Sequence, residues 1–357
     1  MKIVTIVGAR PQFIKAAPVS KALREAGHTE FLVHTGQHYD YGMSQVFFDE
    51  MGIPEPDVNL GIGSGSHGWQ TGQMLIHLEE VIQAQKPDAV LVYGDTNSTL
   101  AGALAALKLH LPLAHVEAGL RSFNREMPEE HNRVLTDHCA TVAFCPTQTA
   151  VNNLARESIT RGVYLVGDTM YDAALQFATI ARQRSTILQD LGLEQKGYLL
   201  ATVHRPYNTD VAEHLRSILT TFLEIEEPVI FPVHPRTRQK IGEFYGTLDL
   251  ASSGSGLKLI EPVGYLDMLM LEENARLILT DSGGMQKEAY FFGVPCITLR
   301  PETEWIETVE AGWNILTGAR IAEIHCALRS FTLPDKRPPI FGSGTAALEI
   351  VKILSEV

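Results

Sequence analysis

Residues 89–117 read AVLVYGDTNSTLAGALAALKLHLPLAHVE. The run at 89–93 is apolar and β-branched. A short polar turn follows, then alanine- and leucine-rich helical spacing over 99–109, then a second apolar run at 113–117. Strand, helix and strand so closely spaced leave parallel pairing through a right-handed crossover as the solution.

Upstream the unit repeats. Residues 2–7 predict a buried strand, 13–26 a helix with Ile14, Val19 and Leu23 on one face, 30–34 a strand, and 67–85 a helix. Runs at 142–145 and 163–166 continue the series. After a polar stretch at 182–196 the alternation restarts. Strands are predicted at 197–203, 229–233, 257–260, 276–280 and 295–298. Helices are predicted at 211–223, 238–245, 265–271 and 284–292. With 357 residues, the chain exceeds one comfortable core of ~250–300 residues. The pattern predicts an α/β protein of two Rossmann-like, doubly wound parallel-sheet domains with a cleft between them. The first domain spans 1–170 and the second 171–342. A last helix within 343–357 crosses back to the first, after a Pro/Gly-rich stretch at 337–344.

Composition narrows the functions. The formal charge of −13 argues against a nucleic-acid binder. It leaves room for an anionic ligand held locally by a helix N-terminus and a few arginines. No apolar run approaches the ~20 residues of a membrane span. The opening MKIVTIVGARP ends in Arg-Pro without a small-residue cleavage site and reads as a strand. Cys139, Cys145, Cys296 and Cys326 form no C-x-x-C pair and each lies in an apolar run, so buried reduced thiols and a cytoplasmic setting are expected. No G-x-G-x-x-G follows the first strand, and neither a Walker A motif nor a His/Cys ligand cluster is present. No cofactor and no metal are expected.

Ligands of open parallel sheets sit beyond the carboxyl ends of the strands, so the residues just after strands are the candidates. Gly8-Ala9-Arg10-Pro11 follows the first strand, with Lys15 one turn into the next helix. A solvated turn explains this equally well, although two cations at a helix N-terminus suit a diphosphate. Asp95 follows one strand and Glu117 ends another. A carboxylate there is often only a helix cap, an explanation stronger for Asp95 than for Glu117, which Ala-Gly follows. Pro128-Glu129-Glu130-His131-Asn132-Arg133 opens a helix, and Glu129 and Arg133, four apart, share a face as a surface ion pair would. Three carboxylates at one sheet mouth suit acid–base work. In the second half, His204-Arg205 and His234-Pro235-Arg236 each follow a strand. Thr280-Asp281-Ser282-Gly283-Gly284 leads into a helix bearing Glu288, an arrangement that lets backbone N–H groups meet phosphate oxygens and Glu288 meet a ribose.

Together GARPQFIKAAP (8–18), TGQH (35–38), VYGDTNST (92–99), HVEAGLRS (115–122), PEEHNR (128–133), residues 203–205, HPR (234–236) and TDSGGMQKEA (280–289) resemble the non-hydrolysing UDP-N-acetylglucosamine 2-epimerases. The resemblance implies a glycosyltransferase-B-like pair of domains, a homodimer, and a UDP-sugar partner without metal or nicotinamide. It implies Asp95, Glu117 and Glu129 as acid–base groups. Arg10, Lys15, Arg133 and His204 would steady the diphosphate. Ser282, Gly283, Gly284 and Glu288, with His234, Tyr265 and Arg300, would hold the nucleotide. Three segments depart from the family pattern. His204-Arg205-Pro206-Tyr207-Asn208 lacks its usual Glu, Thr303-Glu304-Trp305 carries Trp for Arg, and Gln37-His38-Tyr39 lacks an Arg tied to activation by substrate. The Trp and the run at 121–124 resemble the branch acting on UDP-2,3-diacetamido-2,3-dideoxyglucuronate. A glycosyltransferase of the same architecture, a hydrolysing relative and a non-catalytic UDP-sugar binder are the rivals.

Overall fold

The computed structural model describes residues 1–37, 55–245 and 256–356; His38, Tyr39 and Asp40 lie outside them. The chain divides into two compact units, Met1–Gln176 with Pro339–Val357, and Phe177–Pro338. No helix among the described residues is long and apolar enough to cross a membrane.

The first unit runs β1 (Lys2–Val7), α1 (Arg10–Glu25), β2 (Thr29–His34), β3 (Val58–Asn59), α2 (His67–Gln85), β4 (Ala89–Tyr93) and α3 (Asn97–Lys108). It continues β5 (Leu113–Val116), α4 (Pro128–Cys139), β6 (Val142–Cys145), α5 (Gln148–Arg156), β7 (Val163–Leu165) and the start of α6 (Thr169–Arg184), which passes into the second unit at Phe177. Among the described residues its sheet has the order β3-β2-β1-β4-β5-β6-β7, and the pairs are parallel. The order reverses between β1 and β4. Crossovers leave that point in opposite directions, so the strand ends there stay uncovered. Val4, Ile6, Val90 and Val92 fill the space under α2 and α3 with Met74, Leu78 and Ile82.

The second unit runs α7 (Ile187–Leu191), β8 (Leu199–Thr202), α8 (Pro206–Thr209), α9 (Ala212–Glu224), β9 (Val229–Pro232), α10 (Pro235–Tyr245) and β10 (Leu257–Ile260). Then come α11 (Tyr265–Asn274), β11 (Leu277–Thr280), α12 (Gly283–Phe292), β12 (Cys296–Thr298), α13 (Ile306–Glu310), β13 (Asn314–Leu316) and α14 (Ile321–Ser330). Its parallel sheet has the order β10-β9-β8-β11-β12-β13, reversing between β8 and β11. Leu215, Ile218 and Phe222 of α9 pack on Leu199, Phe231 and Leu279 of the sheet.

Several expectations need correction. The polar stretch at 182–196, given no element by the pattern, holds helix: α6 reaches Arg184 and α7 follows at Ile187–Leu191, with Ile187, Leu188 and Leu191 against the core. Helix α5, strand β13 and helix α14 were not expected; β13 has only three residues, too few to show alternation. Cys145 and Cys296 are buried as expected, and burial pushes each thiol up to about 12. Cys139 is only half-buried and Cys326 is exposed, because α14 turns that residue away from the core.

The last helix, α15 (Ala346–Leu354), packs on α1 within the first unit. Its first turn is held by Asp172 of α6, which accepts from Ala346 N at 3.2 Å and Ala347 N at 2.7 Å. Burial pushes this carboxyl up to about 6 in spite of those backbone donors. Its folded pKa is thus above the unfolded one. The associated stability is present below the ordinary carboxylate range, near pH 4, and is lost as pH rises through about 6. Asp172→Asn should flatten the slope of stability between about pH 4 and 6 in denaturant titrations. Asp172→Ala should destabilise the unit by about 1–3 kcal/mol, with faster hydrogen exchange in α15.

Candidate active site

The uncovered ends of β1, β4 and β5 carry the polar residues of the first unit. Gly8 and Ala9 turn the chain from β1 into α1, and their N–H groups donate to Gln12 Oε1 at 2.8 and 2.9 Å. Gln12 Nε2 donates onward to Tyr93 O at 2.7 Å, which ties the turn to the end of β4. A side chain at Gly8 would stand 2.2 Å from both Ser98 Oγ and Thr35 Oγ1, so only glycine lets these segments converge. Arg10 opens α1, and its side chain lies outside the described part of the structure.

Lys15 and Glu117 form an ion pair, each side chain 8% exposed. Burial alone disfavours a carboxylate's charge, and an adjacent ammonium restores it. Glu117 sits just past β5 with φ of 70°, a left-handed conformation that costs a non-glycine residue about 1–3 kcal/mol. Its N–H donates to Phe144 O at 3.1 Å, which helps to hold it there. Asp95 does not cap the following helix. Thr96 does, accepting from Thr99 N at 3.3 Å. Asp95 instead accepts from Arg133 Nη2 at 2.5 Å. The same guanidinium lies 3.4 Å from Glu130. Glu130 is buried and accepts from Ser122 N, Ser122 Oγ and Phe123 N, so it shapes the loop that follows Glu117. Glu129 is half-buried on the first turn of α4. The first unit thus presents two cation–carboxylate pairs, Lys15–Glu117 and Arg133–Asp95, at one sheet edge.

In the second unit Asp281 organises the ends of β8 and β11. It is fully buried and accepts from His204 N, Arg205 N and Asn208 Nδ2, each at 3.0 Å. These bonds hold His204 at the strand end, its Nδ1 3.6 Å from Asp281 Oδ1 and its ring 5.8 Å from that of His234. His234 is exposed, and its Nδ1 accepts from Arg236 N at 3.2 Å. Ser282 caps α12, accepting from Met285 N at 3.4 Å. Gly283 and Gly284 occupy the first turn, where helix amides have no partner inside the helix. Glu288, one turn on, is buried and accepts from Tyr265 Oη at 2.9 Å. Arg300 forks onto Glu304 at 3.0 and 3.1 Å. Burial works against the Glu304 charge, but Arg300 holds its carboxyl below the ordinary range. Lys287, buried beneath the site, lies 4.2 Å from the centre of the Trp305 ring, a cation–π contact.

Within the first unit the structure therefore gathers Lys15, Asp95, Glu117 and Arg133 at adjoining strand ends. Within the second it gathers His204, His234, Ser282, Gly283 and Gly284, with Tyr265, Glu288 and Arg300 behind them. Sequence reading gave no role to Gln12, Glu130 or Asp281. Glu130 stood beside Glu129 in a motif already singled out, and Asp281 lay inside Thr280–Glu288. In each case the signal was present, but the partners are backbone N–H groups invisible in sequence. The missing Glu of the His204–Asn208 segment does not remove its anchor, since Asn208 bridges Asp281 and Leu299 O.

Comparison with known proteins fits this arrangement. The family described as UDP-N-acetylglucosamine 2-epimerase matches residues 21–355. A UDP-N-acetylglucosamine 2-epimerase homolog of Methanococcus maripaludis is 55% identical over 99% of both chains. The UDP-2,3-diacetamido-2,3-dideoxy-D-glucuronate 2-epimerase of Pseudomonas aeruginosa is 50% identical over 100% of both. The crystal structure of Methanocaldococcus jannaschii UDP-GlcNAc 2-epimerase in complex with UDP-GlcNAc and UDP is 47% identical, covers 100% of both chains and superposes with a TM-score of 0.91. With two parallel-sheet units, paired carboxylates at the strand ends and a glycine-opened helix in the second unit, the chain belongs to the UDP-N-acetylglucosamine 2-epimerase family.

Proposed function

We propose that this protein interconverts UDP-N-acetylglucosamine and UDP-N-acetylmannosamine by elimination and re-addition. The observation that carries the reading is the pair of salt-bridged carboxylates, Glu117 with Lys15 and Asp95 with Arg133, at one sheet edge. A carboxylate takes the C2 proton while the C1–O bond breaks and its electron pair leaves with UDP, giving a 2-acetamidoglucal. A UDP oxygen then attacks C1 as a second acid returns a proton to the opposite face of C2. Glu117, Asp95 and Glu129 are the acid–base set. Arg10, Lys15, Arg133 and His204 steady the diphosphate. Ser282, Gly283, Gly284, Glu288, His234, Tyr265 and Arg300 hold the nucleotide.

A second reading has a specific observation behind it. The Pseudomonas relative, 50% identical over its full length, is a UDP-2,3-diacetamido-2,3-dideoxy-D-glucuronate 2-epimerase. Trp305 in place of the family's Arg supports the same branch. We also infer a homodimer, because Trp69 and Ile76 stand about half exposed on α2, seven residues apart and so on one face. Free cysteines suit a cytoplasmic enzyme.

The following outcomes test these assignments. Incubated with each UDP-sugar and no acceptor in deuterated water, the protein should epimerise one of them and place deuterium at C2; binding without exchange would leave it a UDP-sugar binder. Glu117→Gln should lower kcat by about 100-fold or more while UDP affinity, measured by calorimetry, stays near native. Asp95→Asn and Glu129→Gln should be similarly slow and release glycal with free UDP if they fail at reprotonation. Glu288→Ala should weaken UDP binding by about 1–3 kcal/mol, because charge-assisted hydrogen bonds to the ribose are lost. Tyr265→Phe should produce a smaller change of the same sign.

A further inference from the structure

Behind the carboxylates of the first unit lies a chain of buried polar groups to which the proposed reaction assigns no role. His115, on β5, is fully buried. Its ring nitrogens face two oxygens, Asp137 Oδ1 at 2.7 Å and Gly94 O at 2.7 Å. A peptide carbonyl only accepts, so Nε2 donates to Gly94. Asp137, also buried, accepts from Arg121 Nη1 at 2.7 Å and from Gly119 N at 3.1 Å. Burial opposes its charge, but His115 and Arg121 hold the carboxyl below its ordinary value. Arg121 is fixed in turn by Glu157, at 2.6 and 2.8 Å, and by Leu120 O.

The ends of this chain attach next to the reactive groups. Gly94 immediately precedes Asp95 and has φ of 62°. Its N–H donates to Val116 O, one residue before Glu117, at 2.9 Å. A side chain at Gly94 would lie 3.3 Å from both Glu117 Oε2 and Lys15 Nζ. Gly119 lies two residues after Glu117. Asp137 thus grips the Asp95 turn through His115 and the Glu117 turn through Gly119 N and Arg121. Neither His115 nor Asp137 is exposed to a ligand, so both act through the residues they hold.

We infer that His115 and Asp137 are positioning residues that set Asp95 and Glu117 at their mutual spacing, an inference that rests on the epimerase reading. Two substitutions at His115 separate the halves of the relay. His115→Asn places an amide where Nδ1 was, keeping a donor for Asp137 and releasing the Gly94 carbonyl. His115→Gln places one where Nε2 was, keeping Gly94 and releasing Asp137. With UDP-N-acetylglucosamine, or whichever UDP-sugar the native protein turns over, kcat is measured per UDP-binding site, beside KM and the Kd for UDP. His115→Asn should lower kcat by about 10- to 100-fold, the scale of a small misplacement of reacting groups, with Kd for UDP near native. His115→Gln should recover much of that loss. Equal kcat in the two variants, or losses that vanish once sites are counted, would overturn the inference. Should neither variant fold, Arg121→Lys, which leaves the ring in place and replaces the fork on Asp137 with a single ammonium, must show the same kcat-selective fall; native kcat there overturns it too. A native protein that turns over no UDP-sugar would defeat the epimerase reading instead, so the two failures are distinguishable.

Discussion

Parallel pairing brings every strand of a sheet out at the same edge, and the rest of this structure depends on that constraint. Where strand order reverses, between β1 and β4 and again between β8 and β11, helices cross away on both sides and leave polar backbone uncovered. Uncovered peptide groups need partners. In the first unit Gln12 supplies them to the Gly8–Ala9 turn and Thr96 to α3. In the second, Asp281 supplies them to His204 and Arg205. With those groups satisfied by the protein itself, Lys15, Asp95, Glu117 and Arg133 stand at the strand ends of the first unit and His204 at those of the second.

The two units divide their chemistry by charge. The first carries acids paired with cations, Glu117 with Lys15 and Asp95 with Arg133. The second carries histidines, backbone amides and a tyrosine-bound glutamate.

Much of the architecture was legible in residues 89–117, because apolar runs of strand length flanking an alanine-rich helix admit few topologies. Asp95, Glu117 and the glycine-opened α12 were legible too, since they follow strands directly. The pairings were not. Lys15 and Glu117 are 102 residues apart, and nothing local marks either as the other's partner. By position Asp95 could equally be a helix cap, and only the structure gives that role to Thr96. Asp137 was hidden as one polar residue in an amphipathic helix, although the buried side of α4 is where it lies. The helices within 169–191 were obscured by their charged outer faces, and β13 by its brevity.

The occupied turn after β1 bears on how such a sheet is converted between ligands over evolutionary time. In dinucleotide-binding sheets that first turn is glycine-rich and its amides face a pyrophosphate. Here the chain's own Gln12 already takes the Gly8 and Ala9 amides and spends its other end on Tyr93 and Thr99. Gaining a dinucleotide at this turn would mean evicting Gln12 and, with it, the bond that ties the turn to the end of β4. That step would take a partner from the Tyr93 carbonyl and from the Thr99 hydroxyl, which flank Asp95 in sequence, so a new ligand at the first turn would disturb the second.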